Sequence, residues 1–417
     1  MRFKVLPEDF RVEELLGPPP QGRGNYALWR VEKRDLTTLE AQTFLAARLG
    51  LPPRAVSFPA LKDKRAVTVQ YATTPHAKGL PQGVKTARLR AERVGSWPAP
   101  LSPRDLAGNR FTVVLRDLAP AEAEDVRARF ALLAQQGFPN YFDLQRFGSF
   151  SARLGFPGKL LLRGDWEGAL RAYLAEPLLG DPPSVRRFKA LARERWGDWK
   201  FLKEAAPRGN LRSVLTFLCD HPQDFKRAVN LITPRVLSLW LSAYQSFLWN
   251  RGASRALEEL VGESQGLAQL RFPWGALAVP RYPLDPALQR RLLGVSLPLP
   301  AAKGMHAAEE DLGSRALWAA LAEEGLTPRD LKARGLERAY LSGGVRALWA
   351  VPREPESADP EPDELFPGRL KLTLSFLLPP GAYATLLLRL LAEPWGAGAS
   401  FCAGQKGDAK NINTFEL

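Results

Sequence analysis

The sequence predicts an α/β fold in which one discontinuous domain is interrupted by a mainly helical insertion. Strand and helix patterns of hydrophobic residues alternate through the first 150 residues, and one more of each follows near the carboxyl end. Between about residues 150 and 340 helical patterns dominate. This change predicts a discontinuous domain of residues 1–150 and 341–417, and an inserted domain of residues 151–340.

The first predicted elements are two strands and a helix. Residues Phe10–Leu16 and Tyr26–Val31 alternate at strand spacing on either side of a loop rich in Gly and Pro, and we expect these two strands to pair. Thr37 and Glu40 form a capping-box signature, which predicts that a helix begins there and ends at Gly50.

Further elements follow from the same periodicities. The discontinuous domain is predicted to contain strands at Ala66–Tyr71, Phe111–Leu115 and Leu370–Leu378 and helices at Pro120–Gln136 and Ala382–Ala392. The insertion is predicted to contain helices at Ser184–Ala205, Leu211–Leu218, Pro222–Val229 and Pro234–Leu260. Residues 354–367, rich in Pro, Glu and Asp, are predicted to form a solvated loop, and residues 396–413 have too few apolar side chains to pack firmly.

Composition and charge restrict the class of protein. A chain of 417 residues with 45% hydrophobic and 24% charged residues is typical of a folded protein of two or three domains. Lys and Arg exceed Asp and Glu by 58 to 44, giving a net charge of +14, which favours nucleic acid as the partner. The amino terminus lacks the apolar stretch of a signal peptide. These features predict a cytoplasmic protein.

The strongest chemical signal is one carboxylate among three cations. Asp63 is flanked by Lys62, Lys64 and Arg65 at the entrance to a predicted strand. Positive neighbours favour the ionised carboxylate and attract a polyanion, so Asp63 suits a nucleophile or base that acts on nucleic acid. The alternative is an exposed turn whose mixed charges only solvate a loop.

The sequence around Asp63 resembles that of a known family. The segment Phe58–Gln70 is similar to the active-site motif of the TruD family of pseudouridine synthases, in which the aspartate is catalytic. Other segments match that family in the same order. They are Lys4–Phe10 with Val12 and Glu13, Gly137–Phe142 with Gln145–Gly148, Leu378–Thr385 and, more weakly, Gly108–Phe111.

This resemblance implies a catalytic domain with a mixed, largely antiparallel sheet and roles for particular residues. Asp63 is the implied catalytic carboxylate, and Lys4 is the implied lysine that pairs with it. Phe142 is expected to stack on the target base, with Asn140 in a hydrogen-bonding role. Tyr383 is a candidate to line the same pocket, although simple packing is an equal alternative.

The resemblance further implies a tRNA pseudouridine synthase whose family target is uridine 13 in the D arm. The expected partner is tRNA, the chain is expected to be a monomer, and the inserted domain is the expected RNA grip. The candidate RNA-binding residues are Lys62, Lys64, Arg65, Gln145 and Arg146. The insertion also contains a stretch rich in Arg and Lys, which is either part of the RNA grip or a solvated helix face. Its residues are Arg186, Arg187, Arg193, Arg195, Lys200 and Lys203.

No cofactor or metal is expected. The isomerisation of uridine needs no redox step, and the few cysteines and histidines are too scattered for a zinc site or a disulfide framework. They are Cys219, Cys402, His76, His221 and His306. An RNA-binding or RNA-folding protein without chemistry is the main alternative, although such a protein is expected to have lost Asp63, Lys4 or Phe142. A base-modifying hydrolase or methyltransferase is a third alternative. It would need a metal triad or a glycine-rich cofactor loop, and the sequence shows neither pattern.

Overall fold

The computed structural model describes residues 1–392 except 20, 21, 23, 78, 179, 180 and 303–310. The predicted loose tail, Cys402 and His306 lie outside the described residues. The chain forms two compact units, of which unit 1 contains Met1–Phe138 and the described residues from Ala350 onward, and unit 2 contains Pro139–Trp349. The unit borders therefore lie at 138/139 and 349/350, where the sequence suggested 150/151 and 340/341.

Unit 1 is a sheet with three helices among its described residues. Its strands are β1 Phe10–Leu16, β2 Tyr26–Arg34, β3 Val67–Pro75, β4 Gly83–Lys85, β5 Leu89–Trp97, β6 Leu106–Leu118, β13 Arg353–Ser357, β14 Glu361–Pro362 and β15 Leu370–Leu378. Its helices are α1 Thr38–Arg48, α2 Pro120–Gln136 and α12 Ala384–Ala392. The crossings between the units lie in β7 Phe138–Pro139 and β12 Trp349–Ala350. Local signals act as predicted, since the Thr37 side chain accepts a hydrogen bond from the backbone of Glu40 at the start of α1.

The nine strands form one mixed, largely antiparallel sheet, as predicted. Its order is β13-β15-β6-β1-β3-β2-β5-β4, with β14 also paired to β15. The central pair β1 and β3 is parallel, and Arg11 lies opposite Val67. The predicted pairing of the first two strands is wrong, because β3 lies between β1 and β2 and hydrogen-bonds to both.

Residues 354–367, predicted to form a solvated loop, are mostly exposed, but two short parts of the segment join the sheet. Strands β13 and β14 both pair with β15. Asp363 is buried and accepts a hydrogen bond from Arg116 on β6 at 2.9 Å. Asp363 and Glu364 have a structural role, since they are carboxylate partners of the buried Arg116.

Unit 2 is mainly helical, as predicted, and contains two small antiparallel strand pairs. Its helices are α3 Pro157–Arg163, α4 Trp166–Leu174, α5 Pro183–Glu194, α6 Trp199–Ala205, α7 Asn210–Asp220, α8 Phe225–Asn230, α9 Pro234–Gln265, α10 Pro286–Leu293 and α11 Leu312–Glu323. Its strands are β8 Leu267–Phe272, β9 Gly275–Pro280, β10 Ser296–Pro298 and β11 Val345–Ala347. The single helix predicted over Ser184–Ala205 is two helices, because Gly197 takes a φ of 97° and Asp198 caps α6.

None of the helices within the described ranges is both long enough and apolar enough to cross a membrane.

Candidate active site

Lys4 and Asp63 meet because the strands that follow them are parallel neighbours. Lys4 precedes β1 by a short 3₁₀ turn at Pro7–Asp9, and Asp63 precedes β3. In a parallel pair both strands start at the same edge of the sheet, so the two leading segments converge there. The Lys4 Nζ lies 2.5 Å from Asp63 Oδ2.

The ion pair is sheltered but reachable. The side chains of Lys4 and Asp63 are 15% and 17% exposed. Lys4 has a φ of 58°, in the left-handed region that non-glycine residues seldom occupy, and its ammonium lies 4.2 Å from the centroid of the Phe10 ring. A backbone held in this region at a candidate active site indicates a geometry that the surrounding structure enforces.

Buried polar side chains anchor the loop that carries Asp63. The Thr38 hydroxyl accepts a hydrogen bond from the Lys62 backbone N–H at 2.9 Å and donates to Gln70 Oε1 at 2.9 Å. The Gln70 amide donates to the Ala60 carbonyl at 2.9 Å and to Glu14 Oε1 at 3.0 Å. These bonds tie the loop to buried side chains of α1, β1 and β3.

The three cations beside Asp63 differ in their contacts and exposure. The Lys62 Nζ lies 2.5 Å from Asn109 Oδ1 and 3.3 Å from Glu14 Oε1, so this ammonium is engaged within the protein. Lys64 and Arg65 are exposed, and the Arg65 guanidinium donates to the Val5 carbonyl at 3.1 Å. The last contact joins the Asp63 loop to the segment of Lys4.

Two of the motif segments also meet in the sheet. Gly108 on β6 lies against the end of β15, where a Cβ atom would come within 2.7 Å of the Leu378 carbonyl oxygen. The glycine is therefore required by the close approach of two strands. The next residue, Asn109, is the one that accepts from Lys62.

Phe142 lies in unit 2, where helix α9 holds it. Its side chain is 9% exposed, and its ring contacts Trp249 edge to face at a centroid distance of 5.6 Å. Asn250 donates to the Phe142 carbonyl at 2.8 Å and accepts from its N–H at 2.9 Å. Because Trp249 and Asn250 lie three and four residues after Ser246, all three are on the side of the helix that receives this segment.

Two arginines lie beside the Phe142 ring. The Arg346 guanidinium is 4.1 Å from the ring centroid and donates to Asn140 Oδ1 at 2.7 Å and to the Asn140 carbonyl at 2.9 Å. The Arg146 guanidinium is 5.6 Å from the same centroid and donates to the Ser246 hydroxyl at 3.0 Å. The structure thus brings Asn140, Phe142 and Arg146 together in unit 2.

The other predicted residues lie outside these two clusters. Tyr383 is half-buried in unit 1 immediately before α12, and its carbonyl accepts from the Leu386 N–H at 3.2 Å. Gln145 is exposed in unit 2. In the part of the chain that the structure describes, no group of three or more His, Cys, Asp or Glu side chains could hold a metal ion.

Residues that sequence reasoning missed include Glu14, Lys33 and Arg346. Glu14 follows Phe10 and Val12 on the inward face of β1, and Lys33 follows Trp29 and Val31 on the inward face of β2. A charged residue at an apolar position of an alternating strand is a sign of a buried polar contact, and that signal was present. Arg346 has no comparable local signal.

Comparisons with known proteins identify the family of the chain. The family model described as tRNA pseudouridine synthase D (TruD) matches residues 1–266. The chain is 33% identical to the tRNA pseudouridine synthase D of Geobacter sulfurreducens, over 95% of each chain. It is 29% identical to that of Aquifex aeolicus, over 94% of this chain and 98% of the relative.

A solved structure has the same fold. The crystal structure titled as a tRNA pseudouridine synthase D from Methanosarcina mazei superposes with a TM-score of 0.66 at 24% identity, over 93% of this chain and 92% of the other. The family match covers more than half of the sequence and includes the segments of Lys4, Asp63 and Phe142. The chain therefore belongs to the TruD family of tRNA pseudouridine synthases.

Proposed function

We propose that the protein isomerises uridine 13 in the D arm of tRNA to pseudouridine, with Asp63 as the catalytic carboxylate. The observation that carries this proposal is the sheltered Lys4–Asp63 pair, at 2.5 Å, on a loop held by hydrogen bonds to the buried side chains of Thr38 and Gln70. The contact with Lys4 orients the carboxylate. Family membership supports the isomerisation, and the family's usual target supports position 13.

The reaction rearranges bonds within one nucleotide. The bond from C1′ to N1 breaks, the base turns, and C1′ bonds to C5, while C5 loses a proton and N1 gains one. An ionised Asp63 can attack the sugar or the base, or remove a proton from the ribose. Each of these roles requires a carboxylate that is sheltered from water, which is the setting of Asp63.

The Phe142 cluster is the proposed support for the extruded base. Bases removed from a stack are held by aromatic rings and by guanidinium planes, and here Phe142, Arg146 and Arg346 supply both. The proposed RNA surface of unit 2 lies elsewhere, on α5 and the start of α6. Arg186, Arg187, Arg195 and Lys200 are exposed there.

We expect Phe142→Leu to reduce turnover more than tRNA affinity, because leucine preserves apolar volume but offers no ring for stacking. A lost base–aromatic stack costs ~1–3 kcal/mol, which is about 5–150-fold in kcat/KM. Single-turnover kinetics and filter binding measure the two effects. Phe156→Leu, which alters another buried ring of unit 2, is the matched control. Equal activity of the two variants would contradict the stacking role.

The function itself is tested on unmodified tRNA. The purified protein is incubated with a transcript, and pseudouridine is located by carbodiimide treatment and reverse transcription. We expect one new stop, one nucleotide to the 3′ side of position 13, and none on a transcript with cytidine at position 13. Binding without pseudouridine at any position would favour the non-catalytic alternative. Pseudouridine elsewhere would overturn the proposed position but retain the isomerase.

A further inference from the structure

Lys33 is a buried lysine directly beneath the Asp63 loop. The residue is 1% exposed. Its Nζ donates to the backbone carbonyl of Asp63 at 2.8 Å and to that of Leu36 at 2.7 Å. Lysine is almost never fully buried without partners, so these two bonds account for its position.

The same catalytic candidate is thus held by two ammonium groups. Lys4 binds the Asp63 carboxylate, and Lys33 binds the Asp63 main chain. The contact with the Asp63 carbonyl fixes the position of the Asp63 Cα atom, because the carbonyl carbon is bonded to it. The side chain extends from that Cα atom. Lys33 thus influences the direction of the carboxylate through the main chain of Asp63.

We propose that Lys33 is a positioning residue for the reaction, which acts by fixing the main chain of Asp63. This inference rests on the proposed catalytic role of Asp63. The charged groups that act on Lys33 are Asp63, Glu14, Lys62 and Glu40. Of these, Asp63 exerts the largest attraction on the Lys33 ammonium.

The charge of Lys33 gives the proposal a pH signature. Burial lowers the pKa of Lys33 from 10.5 to about 8, although attraction to Asp63 and Glu14 opposes the shift. The neutral amine keeps two N–H donors but donates more weakly and loses its attraction to Asp63, so turnover should fall as the pH rises through about 8. Between pH 8 and 10.5 the unfolded chain binds more protons at this group than the folded chain, so the contribution of Lys33 to stability rises with pH. Its effects on activity and stability thus have opposite signs.

The test compares Lys33→Met with Lys189→Met. Lys189 is also a buried lysine, and its Nζ lies 2.8 Å from Asp181 in unit 2, so its loss measures the structural cost of such a change. We expect Lys33→Met to lower kcat ~10–100-fold, as a small misplacement of a reacting group does. The KM for tRNA should change less than about twofold, and the fall in kcat near pH 8 should disappear. Lys189→Met should keep the wild-type kcat and pH profile.

Lys33→Arg separates positioning from packing. It keeps the charge and the donors but does not titrate in this range, so we expect partial recovery of kcat with no fall near pH 8. The same variant remains informative if Lys33→Met does not fold. A Lys33→Met enzyme with wild-type kcat, or a Lys33→Arg enzyme that keeps the fall near pH 8, would overturn the proposal. An active Asp63→Asn enzyme would instead overturn the proposed function.

Discussion

Asp63→Asn is expected to abolish isomerisation while leaving tRNA affinity nearly unchanged. The amide keeps the size and polarity of the side chain but cannot act as a nucleophile or base, so we expect a loss of about 10²–10⁴-fold or more in single-turnover rate. Filter binding should detect little change, because the carboxylate contributes no positive charge to RNA binding. Turnover and affinity must be measured on the same preparation.

The matched control for this variant is Glu13→Gln. Glu13 lies on β1 in the same unit, and its carboxylate is 3.3 Å from the Arg30 guanidinium, so its neutralisation also breaks an ion pair. We expect this variant to retain wild-type turnover. If Asp63→Asn keeps more than a few per cent of the wild-type rate, Asp63 is not the catalytic group.

Arg116→Met is expected to have the largest effect on stability. Arg116 is 5% exposed, and its guanidinium bonds to Asp9 at 2.9 Å, Asp363 at 2.9 Å and Glu364 at 3.0 Å. The substitution leaves the carboxylates of Asp9 and Asp363 buried without this partner. Breaking such a pair costs ~3–5 kcal/mol of the free energy of unfolding, which denaturant titration measures.

Two controls test this network. One is a variant at a less buried arginine, and the other is the pH dependence of the free energy of unfolding. Arg369→Met removes a partly exposed guanidinium that pairs with Asp117 at 2.9 Å, and we expect it to cost only ~0–1 kcal/mol. The hydrogen bonds from Arg116 and Lys371 lower the pKa of Glu364 to about 2. Stability from this carboxyl is present above about pH 4.3 and is lost as the pH falls toward 2, so the difference between wild type and Arg116→Met should shrink there. Equal costs for the two arginine variants would contradict the buried network.

Local patterns predicted individual elements well because their causes are local. Alternation located β1 at Phe10–Leu16, and the proline start located α2 at Pro120–Gln136. Strand pairing was not predictable in this way, since alternation shows which face is buried but not which strand lies alongside. The acidic segment around Asp363 was misread for a related reason. Its partner Arg116 is distant in sequence, and charge alone suggests solvent.

The residues of the candidate site were predictable to different degrees for the same reason. Asp63 and Lys4 were predicted from the resemblance of their segments to family motifs, and the ion pair between them is present. Lys33 and Glu14 were overlooked although each is a charged residue on an inward face. The contact of Arg346 with Phe142 could not be predicted, because it depends on how segments far apart in the chain pack within unit 2.

The order of strands in unit 1 has a consequence for synthesis of the chain. Strand β6 pairs with β1 on one side and with β15 on the other, but β15 begins about 250 residues after β6 ends. At ~5–20 residues per second, translation leaves that side of β6 without its partner for roughly 10–50 s. A long unpaired edge invites association with other nascent chains. Slow translation or a missing carboxyl-terminal segment should therefore increase aggregation during synthesis, even when the completed protein is stable.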